Sequence, residues 1–191
     1  MLSPEIERRL VHASGASVPL AWAVGLVPWT WVQTVFVAGA LSALGFEALR
    51  LSGVVDLWVF EKLTREYERD NLAGYALYML SMAGASLLFV PRVAAAAMLM
   101  LALADPVSGL LGSGELRAVK DASVLLVMFA VCALIAVAFV TSPAAIVLGA
   151  LAATLADGVK PVVRGYVIDD NLTIPLAAGA AMTAGLFLMA A

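Results

Sequence analysis

The chain has 191 residues, 63% of them hydrophobic and only 13% charged, with a net charge of −3 and a mean hydropathy of +1.01. A soluble domain carries about 25% charged residues, so this composition excludes one and points to a multi-pass protein of the cell membrane. The single cysteine, Cys132, rules out an internal disulfide and CxxC-type metal sites, and no nucleic-acid partner is expected.

The N-terminus, "MLSPEIERRLVHASG", is mixed in charge and amphipathic. The apolar stretch after it is read as retained, because further spans follow. No formal charge occurs from Ala13 to Phe46, a run too long for one crossing of about 20 residues. "VPWTW" (Val27 to Trp31) breaks it with a proline and interfacial tryptophans. A hairpin results, with span 1 near Ser17–Val27 and span 2 near Trp29–Ala48. Residues Val54–Arg69 are amphipathic and are expected along the interface. Span 3 covers roughly Leu72–Val90 and span 4 Pro91–Leu111. A second charge-free run, Ala122 to Ala156, is broken at Thr141–Pro143 into spans 5 and 6, and span 7 covers Leu172–Ala190. The expected fold is one all-α transmembrane bundle over residues 1–191, of about seven helices, with the N-terminus cytoplasmic and the C-terminus outside.

This threading puts Arg8, Arg9, Arg50, Lys62, Arg65, Arg69, Arg117, Lys120, Lys160 and Arg164 on the cytoplasmic side and only Arg92 outside, as the positive-inside rule requires. The carboxylates gather toward the same side. A transporter usually keeps polar groups near the midplane, open alternately to both faces. One furnished face suits an enzyme that takes a charged substrate from water and a lipid from the bilayer.

Polar residues stand out in four places. In "LALADPVSGLLGSG", Asp105 interrupts an apolar span, about 9 Å from its cytoplasmic end at 1.5 Å per residue. Unpaired there, it would cost about 2.5–3.5 kcal/mol on insertion scales. It reads either as a packing Asp bonded to a neighbouring hydroxyl or as part of a metal or phosphate site. The loop Gly112–Asp121 sets glycines before Arg117 and Lys120, which suits a polyphosphate, although positive-inside bias also accounts for the cations. In "ATLADGVKPVVRGYVIDDNLTIPL", Asp157 is followed by Lys160 and Arg164, and then by Asp169, Asp170, Asn171 and Thr173 at the mouth of span 7. Oxygen ligands grip Mg²⁺ or another divalent cation while the cations contact phosphates. The competing reading is that Asp170 or Asn171 is a helix N-cap. Finally, Arg9 and His12 stand at the entrance of span 1, either structural or lining an entrance for lipid or phosphate.

The order "RRLVHASG", "ADPVSGLLG", "ATLADGVKP…DDNLTIPL" resembles the dolichol kinase and phytol kinase family of CTP-dependent polyprenol kinases, to which CTP-dependent diacylglycerol kinases are related. The resemblance runs over nearly the whole chain, and "DDNLTIPL" after "AT" and an acid is its most specific part. Two departures are visible. The family's Lys-Ser-x-Glu-Gly-Ser-like stretch is reduced to "VKDAS", and its usual Glu after "AT" is Asp157.

The resemblance implies phosphoryl transfer from CTP to a membrane lipid alcohol at the cytoplasmic interface, with a divalent cation. Asp105, Asp170 and Asp157 are then the candidate catalytic carboxylates, and Asp105, Asp169 and Asp170 the candidate metal ligands. Lys120, Lys160, Arg164, Arg117, Asn171 and Thr173 are the candidate nucleotide contacts. The alternatives are a CDP-lipid synthase joining CTP to a lipid phosphate, whose acid-and-basic signature near the C-terminus is not found, and a transporter.

Overall fold

The computed structural model describes residues 4–53, 64, 68–69, 71–112, 119–159, 162–163 and 166–188. Most of the expected interfacial segment at 54–69 lies outside the described residues, as do Arg117, Lys160 and Arg164. The described chain is helical, apart from a ribbon in which β1 (Val162–Val163) pairs antiparallel with β2 (Tyr166–Val167).

Helices α1 (Pro4–Ser14) and α2 (Ser17–Ala23) open the chain. α2 stops early for a local reason. Gly25 takes φ +78°, the Gly25 N–H donates to Trp22 O at 2.9 Å, and the Leu26 N–H donates to Ala21 O at 2.9 Å. This is a Schellman termination, which needs a residue free to adopt a left-handed conformation. The first span, read as Ser17–Val27, therefore holds only seven helical residues, about 10 Å of helix against a hydrocarbon core of about 30 Å.

The remaining apolar runs form α3 (Trp29–Leu51), α4 (Gly74–Leu88), a rod from Pro91 to Leu111, α7 (Ala122–Phe139), α8 (Pro143–Gly158) and α9 (Asp170–Leu188). The rod is composite: α5 (Pro91–Leu99), a π-turn (Met100–Ala104) and α6 (Asp105–Leu111). Four of these elements are long and apolar enough to cross a bilayer: α3, the rod, α7 and α9. The apolar helices α4 and α8 are shorter, at 15 and 16 residues. Pro143 enters α8 at its first turn, where its missing N–H costs nothing, and Ser142 Oγ accepts the Ala145 N–H at 3.3 Å as a cap.

The rod is the centre of the bundle. Val93 to Ala102 is buried without a break, and the run Ala94–Ala97 lets neighbouring helices approach. α8 and α9 close up through glycine: a Cβ on Gly185 would lie 2.5 Å from the Cα and N of Ala145, the small-residue packing that apolar helices use where no hydrophobic force separates helix from lipid.

α3 and α4 run antiparallel. At one end Trp29 Nε1 and Gln33 Nε2 donate to Ser86 O at 3.2 and 3.0 Å. At the other, the buried Glu47 carboxylate accepts from Arg50 Nε and Nη2 (2.9 and 2.7 Å), from the Ala73 N–H (2.9 Å) and from the Tyr75 hydroxyl. Arg50 also donates to Arg69 O and Asn71 O, so the turn before α4 is tied to the end of α3. A charge inside apolar helices is thus matched bond for bond, as burial demands. That polar end also carries Asp157 at the end of α8 and Asp170 at the start of α9.

Candidate functional site

The site begins with a fault in the central rod. In the π-turn the Asp105 N–H donates to Met100 O, five residues back rather than four. The next donor in that pattern would be residue 106, which is proline and has none. Leu101 O is left open, and His12 Nε2 from α1 reaches it at 3.0 Å. A carbonyl only accepts, so Nε2 carries the proton. Five residues beyond Leu101, Arg9 Nη1 donates to Pro106 O at 3.2 Å. The guanidinium fills the space above Gly109, where any Cβ would collide with it.

His12 Nε2 also stands 3.6 Å from Asp105 Oδ2, too long for a hydrogen bond but close for a dipole facing a carboxylate. Its ring sits edge-on to Tyr78 at 4.6 Å, and the Tyr78 hydroxyl donates to His12 O at 3.1 Å. Burial pushes the imidazole down to about 4, overcoming the raising effect of its bond to Leu101 and of the Asp170 charge. His12 is therefore neutral near pH 7. Read from the sequence as either structural or lining an entrance for lipid or phosphate, Arg9 and His12 lie against the broken span, beside Asp105.

Three helices bring one carboxylate each to this point. Ligand oxygens of Asp105, Asp157 and Asp170 lie within 4.8 Å of one another. Asp157 is wholly buried and firmly held: Ser108 Oγ donates to Oδ2 at 2.6 Å, and Lys120 Nζ to Oδ1 at 2.5 Å and to Ser108 Oγ at 3.0 Å. Lys120 is in turn placed by its own backbone, whose N–H donates to Gly158 O at 3.1 Å, next to the Val119–Val159 bridge. Asp105 keeps 19% of its side chain exposed, so it is the most open of the three.

Both acids at the mouth of α9 accept the Asn171 N–H, Asp170 Oδ1 at 3.1 Å, and they differ in what else they reach. Asp169 Oδ1 accepts from the Asn171 N–H at 2.9 Å and from Asn171 Nδ2 at 2.7 Å, and its carbonyl accepts from Leu172 and Thr173. Asp169 is the N-cap. It does not belong to the carboxylate group, which takes Asp157 in its place, because one helical position turns a side chain by about 100°. Asn171 turns toward α4: its Nδ2 would lie 3.0 Å from a Cβ on Gly74, and its Oδ1 is buried without a donor among the described residues. Thr173 Oγ1 bonds back to Asp169 O at 3.3 Å, a local helix contact.

The chain matches no family model, no curated protein and no solved structure. What the site can do follows from its own donors and charges. The group offers carboxylate oxygens alone, the hard donors that Mg²⁺ prefers. The imidazole nitrogen nearest the group, Nε2, carries its proton and gives it to Leu101 O, so it does not compete as a ligand. The residues present fit the divalent cation.

Two contributors escaped the sequence reading. Ser108 and Tyr78 are polar residues scattered in apolar helices, and a serine or tyrosine there is ordinary. The spacing of "DPVS" does put Ser108 one turn after Asp105, and that turn was the available signal.

Proposed function

We propose that this protein is a membrane-embedded kinase of lipid alcohols, passing the terminal phosphoryl group of a nucleoside triphosphate to a hydroxyl at the cytoplasmic interface. The observation that carries it is the convergence of Asp105, Asp157 and Asp170 from three helices, with Lys120 on Asp157, at one end of an apolar bundle. The resemblance to dolichol and phytol kinases makes CTP the donor and a polyprenol-type alcohol the acceptor. The chain threads the membrane about seven times, N-terminus inside, with the short α2 on the first of these passes.

Asp105, Asp157 and Asp170 would hold the cation, which when bound supplies charge neutralisation on the transferring phosphoryl group. Asp105, the most exposed, orients the acceptor and takes its hydroxyl proton. The alcohol oxygen bonds to the terminal phosphorus as the bond to the bridging oxygen breaks, leaving lipid monophosphate and nucleoside diphosphate. Lys120, one-fifth exposed, reaches from Asp157 toward the phosphates, and the buried Ser108 keeps Asp157 aimed.

A panel of nucleotides against a panel of lipid alcohols, with Mg²⁺ and products identified by mass, tests this reading. CTP should yield lipid monophosphate and CDP, and EDTA should stop the reaction. Pyrophosphate release from a lipid phosphate would replace the kinase with a cytidylyltransferase, and absence of any turnover would remove the enzyme reading.

A further inference from the structure

We propose that His12 is a positioning residue for Asp105: its Nε2–H holds the Leu101 carbonyl left open by the π-turn and Pro106, and so keeps the Asp105 carboxylate turned toward Asp157 and Asp170. The inference rests on the metal reading above and adds the N-terminal helix to it.

The rod has a weak point where its backbone ladder changes register. A π-turn followed by proline leaves a carbonyl with no donor on its own helix, and an open carbonyl in an apolar setting costs about 1–3 kcal/mol. Without another donor, the helix has reason to relax toward α geometry and rotate the residues after the fault. Asp105 is the first of these. His12 supplies the donor at 3.0 Å and Arg9 takes the Pro106 carbonyl, so the N-terminal helix bridges both sides of Asp105.

The imidazole is itself fixed, by the edge-on Tyr78 ring and by the Tyr78 hydroxyl on its backbone oxygen. Gly15 gives that hydroxyl room, because a Cβ there would overlap it. Burial and bonding of this kind exceed what anchoring a surface helix needs. Outer partners that orient ligands typically govern affinity 10–100-fold.

The test uses the full chain in detergent, with Mn²⁺ as the probe and free Mn²⁺ measured by electron paramagnetic resonance, alongside the melting temperature. His12→Leu keeps bulk and removes the donor, and should weaken Mn²⁺ binding by about tenfold or more. His12→Gln can present an amide N–H near the Nε2 position and should stay within about threefold, while the shorter His12→Asn should behave like Leu.

A merely structural helix anchor would lower melting in all three variants and leave Mn²⁺ affinity of the folded protein unchanged. That result overturns the inference, as does equal affinity in the Gln and Asn variants should the Leu variant not fold. Wild-type protein that binds no Mn²⁺ overturns the metal reading itself, a result distinct from wild-type binding with no dependence on residue 12.

Discussion

Ser81 on α4 donates its hydroxyl to the Asn171 carbonyl on α9 at 2.5 Å. The acceptor is open because the residue four positions on, Pro175, has no N–H to return. The same arrangement joins His12 to Leu101 near Pro106. Twice, then, a proline within an apolar helix frees a carbonyl, and a side chain from another helix takes it within a residue or a turn of a site carboxylate.

This pairing gives a stability prediction. Ser81→Ala should cost about 1–3 kcal/mol by leaving the Asn171 carbonyl buried and unpaired. Pro175→Ala restores a backbone donor, so in the Ser81→Ala background it should recover part of the loss. Thermal unfolding of the four proteins of this cycle in detergent measures the coupling, and strict additivity would contradict the shared carbonyl.

The division of labour at the mouth of α9 separates two neighbouring acids. Asp169→Asn should retain turnover, because asparagine caps about as well as aspartate. Asp170→Asn should abolish turnover while the protein still folds, since it removes a charge from the three-carboxylate group. Turnover assays on both variants, with melting temperatures as the control, decide between these outcomes, and equal activities would refute the division.

Lys120 and Asp157 form a partly buried pair whose carboxylate has no exposure. Lys120→Met should destabilise the protein by about 3 kcal/mol, near the low end for a broken buried pair because the lysine is one-fifth exposed. Adding Asp157→Asn should lessen that loss, since no charge is then stranded, without restoring turnover. Lys120→Arg should keep stability better than Met and raise the KM for nucleotide, because the planar guanidinium cannot repeat the compact contact with both Ser108 and Asp157.

The proposed threading is tested by single cysteines in a Cys132→Ala background. Ser52 and Val119 are exposed at the polar end and should react only when reagent reaches the cytoplasm. Arg92 and Thr141, exposed at the other end, should react from outside in sealed cells. External labelling at Val119 would invert the topology.

The helical runs were legible because prolines and charges punctuate them: Pro28, Pro91 and Pro143 each precede or begin a helix where the sequence placed one. Asp105, Asp157 and Asp170 were legible as ionisable groups too costly to leave idle in or beside apolar helices. Their grouping was less so. Asp169 and Asp170 look alike in sequence, and only the first residue of α9 decides which one caps and which one turns inward. Ser81 and Asn171 are ninety residues apart and meet through a proline's missing hydrogen, which no local period records. The end of α2 was similarly hidden, because Gly25 reads as one more small residue in an apolar run until its positive φ is seen.

The π-turn at Met100–Ala104 holds one residue more than an α-helix would need over the same rise. Deleting any one of these five would leave the span's hydropathy essentially untouched and lengthen no loop. It would close the ladder as plain α-helix and leave Asp105, Ser108 and Gly109 facing nearly as they do, whereas an α ladder over the present number of residues would swing them by about 100° relative to Arg92 and the alanines above them. The wide turn thus absorbs one residue of the spacer between Pro91 and Asp105, and the register of its hydrogen-bond ladder sets the heading of everything beyond it.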